Sequence, residues 1–98
     1  MKRVTWAAAA TNDLTAIKVY LAENYGSTFA DKHVAALVLA AHWLLDYPAA
    51  GSLIGVGKSR KWRPRGVRHI LIYKPVSGGI HVLRVRHERN DWRPVPLD

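Results

Sequence analysis

The chain has 98 residues, 49% of them apolar, enough for one hydrophobic core and too few for two ordinary domains. Its 15 Lys and Arg outnumber 7 Asp and Glu, and it has no cysteine, which excludes a disulfide framework and thiolate chemistry. The imbalance is local: residues 1–57 balance Lys2, Arg3, Lys18 and Lys32 against Asp13, Glu23, Asp31 and Asp46, so the whole net charge of +8 falls in residues 58–98.

A cationic half joined to a neutral half concentrates potential on one surface and attracts phosphates or acidic proteins. The opening MKRVTWAAAA places Lys2 and Arg3 ahead of an apolar run, as a signal peptide does. That run is short and meets Thr11, Asn12 and Asp13 at once, so it reads as a strand and the start of a helix. Strand composition covers Lys2 to Trp6. Leu14, Ile17, Tyr20 and Leu21 then recur at helical spacing, with Asp13, Lys18 and Glu23 outside the stripe.

Gly26 fits a helix end, and Thr28 with Asp31 forms a capping-box pattern for a second helix. That helix turns Val34, Leu37, Val38, Ala41, Leu44 and Leu45 inward and stops before Pro48. Its apolar stretch is broken by His42 and is shorter than the roughly 20 residues that span a bilayer. The two helices, about residues 8–47, form an antiparallel hairpin. Trp6 and Trp43 fit the core.

PAAGSLIGVG, residues 48–57, has the composition of a connection. KSRKWRPR follows, where Pro64 restricts the segment to an edge strand or loop. The clearest strands are RHILIYK, residues 68–74, and IHVLRVRH, residues 80–87, joined through Gly78 and Gly79. The order strand, helix, helix, strands predicts a single α+β domain over residues 1–98. An N-terminal strand and a helical hairpin pack on one face of a small, mainly antiparallel sheet, with basic strands at about 58–88 and a tail at 89–98. Regular alternation on the last strand sends Leu83 and Val85 to the helices and Val82, Arg84 and Arg86 to the open face.

Several residues carry competing chemistry. Arg84 and Arg86 suit carboxylate or phosphate recognition, against the plainer reading of a solvated strand face. Trp62 among Lys58, Arg60, Lys61, Arg63 and Arg65 suits base stacking with phosphate neutralisation, and equally a cover for the sheet edge. Trp92 serves packing or an interface. His33 and His42 are nine residues apart, and the five histidines lack zinc-ligand spacing, so neither a metal nor another cofactor is expected. GVG at residues 55–57 precedes no helix and is a weak phosphate loop.

The strings VTW, AAAATNDLTAIKVYLAENYG, LLDYPAAG, RHILIYKPVSGGIHVLRV and RVRHERNDW cover most of the chain. In this order they resemble the RelE/ParE superfamily of bacterial toxins from type II toxin–antitoxin modules, also called plasmid stabilisation proteins. The resemblance implies a cytoplasmic toxin, able to arrest growth, that forms a hetero-oligomer with an acidic antitoxin. ParE-like members poison DNA gyrase. RelE-like members cut messenger RNA in the ribosomal A site, a reaction needing a general base, a general acid and cations on the developing charge.

Under the nuclease alternative the reacting residues are Arg84, Arg86 and His87, helped by Lys58, Lys61 or Arg68. The tail ERNDWRPVPLD lacks the Tyr or further His that RelE-like toxins commonly use, and LRVRHERNDW looks more ParE-like. The expectation is therefore a gyrase inhibitor without catalytic residues. Contacts to target or antitoxin come from Lys58, Arg60, Lys61, Trp62, Arg63, Arg68, Arg84, Arg86, Arg89 and Trp92. His87 is then a hydrogen-bonded structural histidine. A non-toxic basic module that binds nucleic acid is the third reading.

Overall fold

The computed structural model describes residues 2–55 and 57–89. Strand β1 (Arg3–Trp6) leads into helices α1 (Ala8–Tyr25) and α2 (Ser27–Trp43), and strands β2 (Ser52–Leu53), β3 (Arg60–Trp62), β4 (His69–Val76) and β5 (Gly79–His87) follow. They form one sheet of order β1-β5-β4-β3-β2. β1 runs parallel to β5, and every other pairing is antiparallel. The α+β architecture with two helices on a mixed, mainly antiparallel sheet is as expected. The two-residue β2 lies inside the segment read as a connection.

The hairpin turns on Gly26 alone, whose φ of +95° favours glycine. α2 begins at Ser27 without a side-chain cap, so the capping box of Thr28 and Asp31 does not form. Leu37 and Ala41 of α2, Leu44 just after it and Ala10 of α1 pack on Leu71, Tyr73, Ile80, Val82 and Val85 of the sheet. At Gly79 a Cβ would collide with the Arg3 backbone, so the close approach of β1 to β5 requires glycine there. No described helix is long and apolar enough to cross a membrane.

Two expectations are corrected. Trp43 is 43% exposed and lies outside the core. It stacks on Tyr47 and on Trp62, at centroid distances of 4.6 and 5.1 Å. The second correction concerns β5, where Tyr73 pairs with Val82 but Ile72 pairs with Arg84, so Leu83 is an extra residue opposite this step. Such a bulge breaks alternation. Val82 joins Val85 in the core instead of facing outward, and Leu83 is not part of the buried core.

Tyr73 also fixes the connection after α2. Its buried ring carries a hydroxyl that donates to the Pro48 carbonyl at 2.8 Å and accepts the Gly51 N–H at 2.9 Å. Removing the hydroxyl leaves both backbone groups without this partner. Tyr73→Phe is therefore expected to lower unfolding stability by about 2 kcal/mol in urea denaturation, within the range for hydrogen bonds whose partners stay behind. An unchanged midpoint at unchanged slope contradicts this.

Candidate functional site

The predicted contact residues do not gather into one patch. Across the β4–β5 ladder Arg84 lies opposite Ile72 and Arg86 opposite Ile70, which places these four on the sheet face away from the core cluster. Arg84 and Arg86 thus share a face, as expected, but the surface is not a solvated row of cations. Ile70 and Ile72 are buried within it, and both arginines are half-buried.

Arg84 is occupied by the chain itself. β1 accompanies β5 only as far as Val82, so the edge beyond has no strand neighbour from β1. Asp13 of α1 fills that position. Its Oδ2 accepts the Val85 N–H at 2.9 Å and Arg84 Nε–H at 2.8 Å, while Oδ1 accepts Arg84 Nη2–H at 3.0 Å. The hydrogen bonds to Asp13 hold the Arg84 proton more firmly than usual, against a smaller opposing effect of burial. Arg86 Nε is buried and has no hydrogen-bond partner in the described structure.

The other basic residues are dispersed. Arg60 donates to the Ala49 and Gly51 carbonyls. Arg63 and Arg68 both approach Glu88, at 3.7 and 2.9 Å. Lys58 and Arg89 are exposed, and Lys61 is half-buried on β3. Trp62 packs against the core and stacks on Trp43, which matches the edge-cover reading and occupies one of its faces. Trp92 lies outside the described residues.

A second region was not anticipated. A groove of about 780 Å³ opens between the tip of the helical hairpin and the far ends of β4 and β5. Ile17, Tyr20, Leu21 and Tyr25 of α1, with Phe29 of α2, form its apolar wall. His33, His69, His87 and Arg68 complete its lining. Tyr25, Phe29 and His33 follow one another at four-residue intervals with neighbouring rings 5.3 and 5.9 Å apart.

His33 Nε2 and His69 Nδ1 are 2.9 Å apart, so one ring donates to the other. The rings of His69 and His87 meet edge to face at 5.2 Å. His87 Nδ1 accepts the Arg89 N–H. Among the described residues no three His, Cys, Asp or Glu side chains are arranged as metal ligands.

His33 and His69 resist protonation. Burial, then the neighbouring His33 and His87, push the His69 pKa down to about 4, with Glu88 opposing. His33 is lowered by burial and by His87. His87 lies on the same side of β5 as Val85, where alternation put it, and opposite His69. The sequence reading compared His33 only with His42 and passed over the cross-strand partnership of His69 and His87.

A histidine whose folded pKa lies below its unfolded value contributes no penalty above pH 6.5. It destabilises progressively as pH falls towards the folded value, because the unfolded chain binds the proton more tightly. From 6.5 to about 4, at about 1.4 kcal/mol per pH unit, His69 accounts for about 3 kcal/mol. Native protein should therefore lose about 3 kcal/mol more stability between pH 7 and pH 4 than His69→Gln does, measured by urea denaturation. Parallel pH curves would contradict the buried neutral imidazole.

The family model described as "ParE toxin of type II toxin-antitoxin system, parDE" matches residues 4–92. In structure the chain is similar to the chromosomal ParDE system from P. aeruginosa, with a TM-score of 0.78 and 22% identity over 89% of this chain and 96% of that one. It is also similar to the intact E. coli RelBE toxin–antitoxin complex, with a TM-score of 0.61 and 17% identity over 92% of this chain and 100% of that one. The isolated E. coli RelE toxin gives a TM-score of 0.60 and 17% identity over 94% of this chain and 89% of that one. Among curated proteins none matches the chain in sequence. At these identities the structural likenesses establish the fold.

Proposed function

The chain belongs to the ParE toxin family of type II toxin–antitoxin systems, and from that premise we propose that it arrests growth by docking on DNA gyrase in the cytoplasm. An acidic antitoxin covers the toxin and neutralises it. Inhibition follows from binding: a toxin that prefers one gyrase–DNA intermediate shifts the population towards it, and no bond in the toxin or target need be made or broken by toxin side chains.

The observation that supports docking over RNA cleavage is the occupation of Arg84. A nuclease built on Arg84, Arg86 and His87 needs its proton donor, acceptor and cations around one phosphate within hydrogen-bond reach. Here Arg84 forms a two-pronged ion pair with Asp13, and His87 lines the groove on the Val85 side of the sheet, away from the Arg84 and Arg86 face. Lys58, Lys61, Arg63, Arg68, Arg86 and Arg89 stay as proposed contacts to gyrase or antitoxin. Arg60, Trp62 and Arg84 act instead within the toxin, and Trp92 stays a proposed contact of the tail.

Purified toxin should inhibit supercoiling of relaxed plasmid by purified gyrase at micromolar concentration. Reversing the charge at Lys58 or Arg89, both exposed, should raise the inhibitory concentration by about tenfold, since peripheral charges govern encounter. Undisturbed supercoiling together with A-site cleavage in a translation extract would overturn this function in favour of the nuclease.

A further inference from the structure

The groove at the hairpin tip leaves apolar surface in water. Tyr20, Tyr25 and Phe29 are 59%, 64% and 47% exposed, yet they surround a single concavity. Contiguous exposed aromatic surface around a cleft marks a binding face, and an apolar cleft with a few converging polar groups orients what enters it. The polar groups here stand together at one end, on separate elements: His33 from α2, His69 from β4, His87 from β5 and Arg68 just before β4.

The charge at that end selects the partner. Facing the imidazole row are Tyr20 and Tyr25 from α1, Arg68 from the β3–β4 connection and Glu88 after β5. Glu88 is already held by Arg68 and Arg63. The end therefore offers imidazole and guanidinium groups to an anion, in a chain of net charge +8. A wholly apolar occupant would leave these groups facing hydrocarbon, whereas a cationic one would meet Arg68.

We propose that this groove docks an acidic amphipathic segment of the antitoxin. The segment lays apolar side chains on Tyr20, Tyr25 and Phe29 and brings one carboxylate to the His33–His69–His87 row, where it draws in a proton from solvent. This rests on the antitoxin reading above and adds to it the place of docking and its dependence on acidity.

In the unliganded groove burial and the neighbouring imidazoles hold His33 and His69 below the ordinary histidine pKa. A carboxylate within about 4–6 Å favours the protonated imidazole by about 1–3 pH units. Because His33 and His69 share a hydrogen bond and His87 abuts His69, a single added proton serves the row. Its positive charge matches the single carboxylate. One proton taken up on binding tightens the complex by up to about tenfold for each pH unit of acidification.

Isothermal titration of the full chain with the acidic protein encoded beside it decides this, carried out from pH 6 to 8 in buffers of different ionisation heat. The expected result is uptake of about half to one proton per complex near pH 7 and a dissociation constant about tenfold or more smaller at pH 6 than at pH 8. His33→Gln and His69→Gln should each still bind but lose more than half of that uptake. A complex formed without proton uptake, or one in which both variants keep the native chain's uptake, overturns the inference and leaves the antitoxin reading standing. Absence of any complex across the pH range overturns the antitoxin reading and the inference with it. Supercoiling results bear on gyrase alone.

Discussion

One surplus residue in β5 decides which side chains meet. In an antiparallel ladder a bulge shifts everything beyond it by one position on the bulged strand. With Leu83 unpaired, Val82 and Val85, three apart, both reach the core, and His87 comes opposite His69. The same irregularity coincides with the point where β1 leaves the edge of β5, exposing a backbone donor. Asp13 accepts it and captures Arg84 as well. That carboxylate ties helix α1 to β5.

The clamp alters the meaning of the chain's positive charge. Net charge of +8 suggests an uninterrupted cationic face, but charge acts at a distance only where it is not already matched nearby. Arg84 meets Asp13 and Arg60 meets backbone carbonyls, while Arg63 and Arg68 share the one carboxylate of Glu88 and keep one positive charge between them. What is left for a partner is a set of dispersed peripheral cations and an aromatic groove that ends in imidazoles. Such a distribution suits protein docking, in which peripheral charge speeds encounter and central aromatic contacts supply affinity.

Much of the architecture was legible because its signals are local. Helical spacing from Leu14 to Leu21 and from Val34 to Leu45, the single glycine between the helices and the Gly78–Gly79 turn each announce an element within a few residues. The parallel pairing of β1 with β5 and the two-residue β2 were not legible, because they depend on partners far along the chain. Alternation failed at Leu83 for a definite reason: nothing in VLRVR marks a bulge, and its stabilising carboxylate sits 72 residues earlier on α1. His33, His69 and His87 come from three elements, so no spacing rule unites them. The four-residue recurrence of Tyr25, Phe29 and His33 was a usable signal for the groove wall.

The central claim is that Arg84 is bound to Asp13 as part of the fold, and a double-mutant cycle in urea denaturation tests it most directly. Asp13→Ala, Arg84→Ala and the double variant give the coupling between the two side chains free of their other contacts. A half-buried, two-pronged ion pair predicts coupling of about 2 kcal/mol, close to the level of hydrogen bonds to charged groups. Additive losses, with coupling near zero, would mean that Arg84 is available to a phosphate or a partner and would contradict the assignment of Arg84 to the toxin's own architecture.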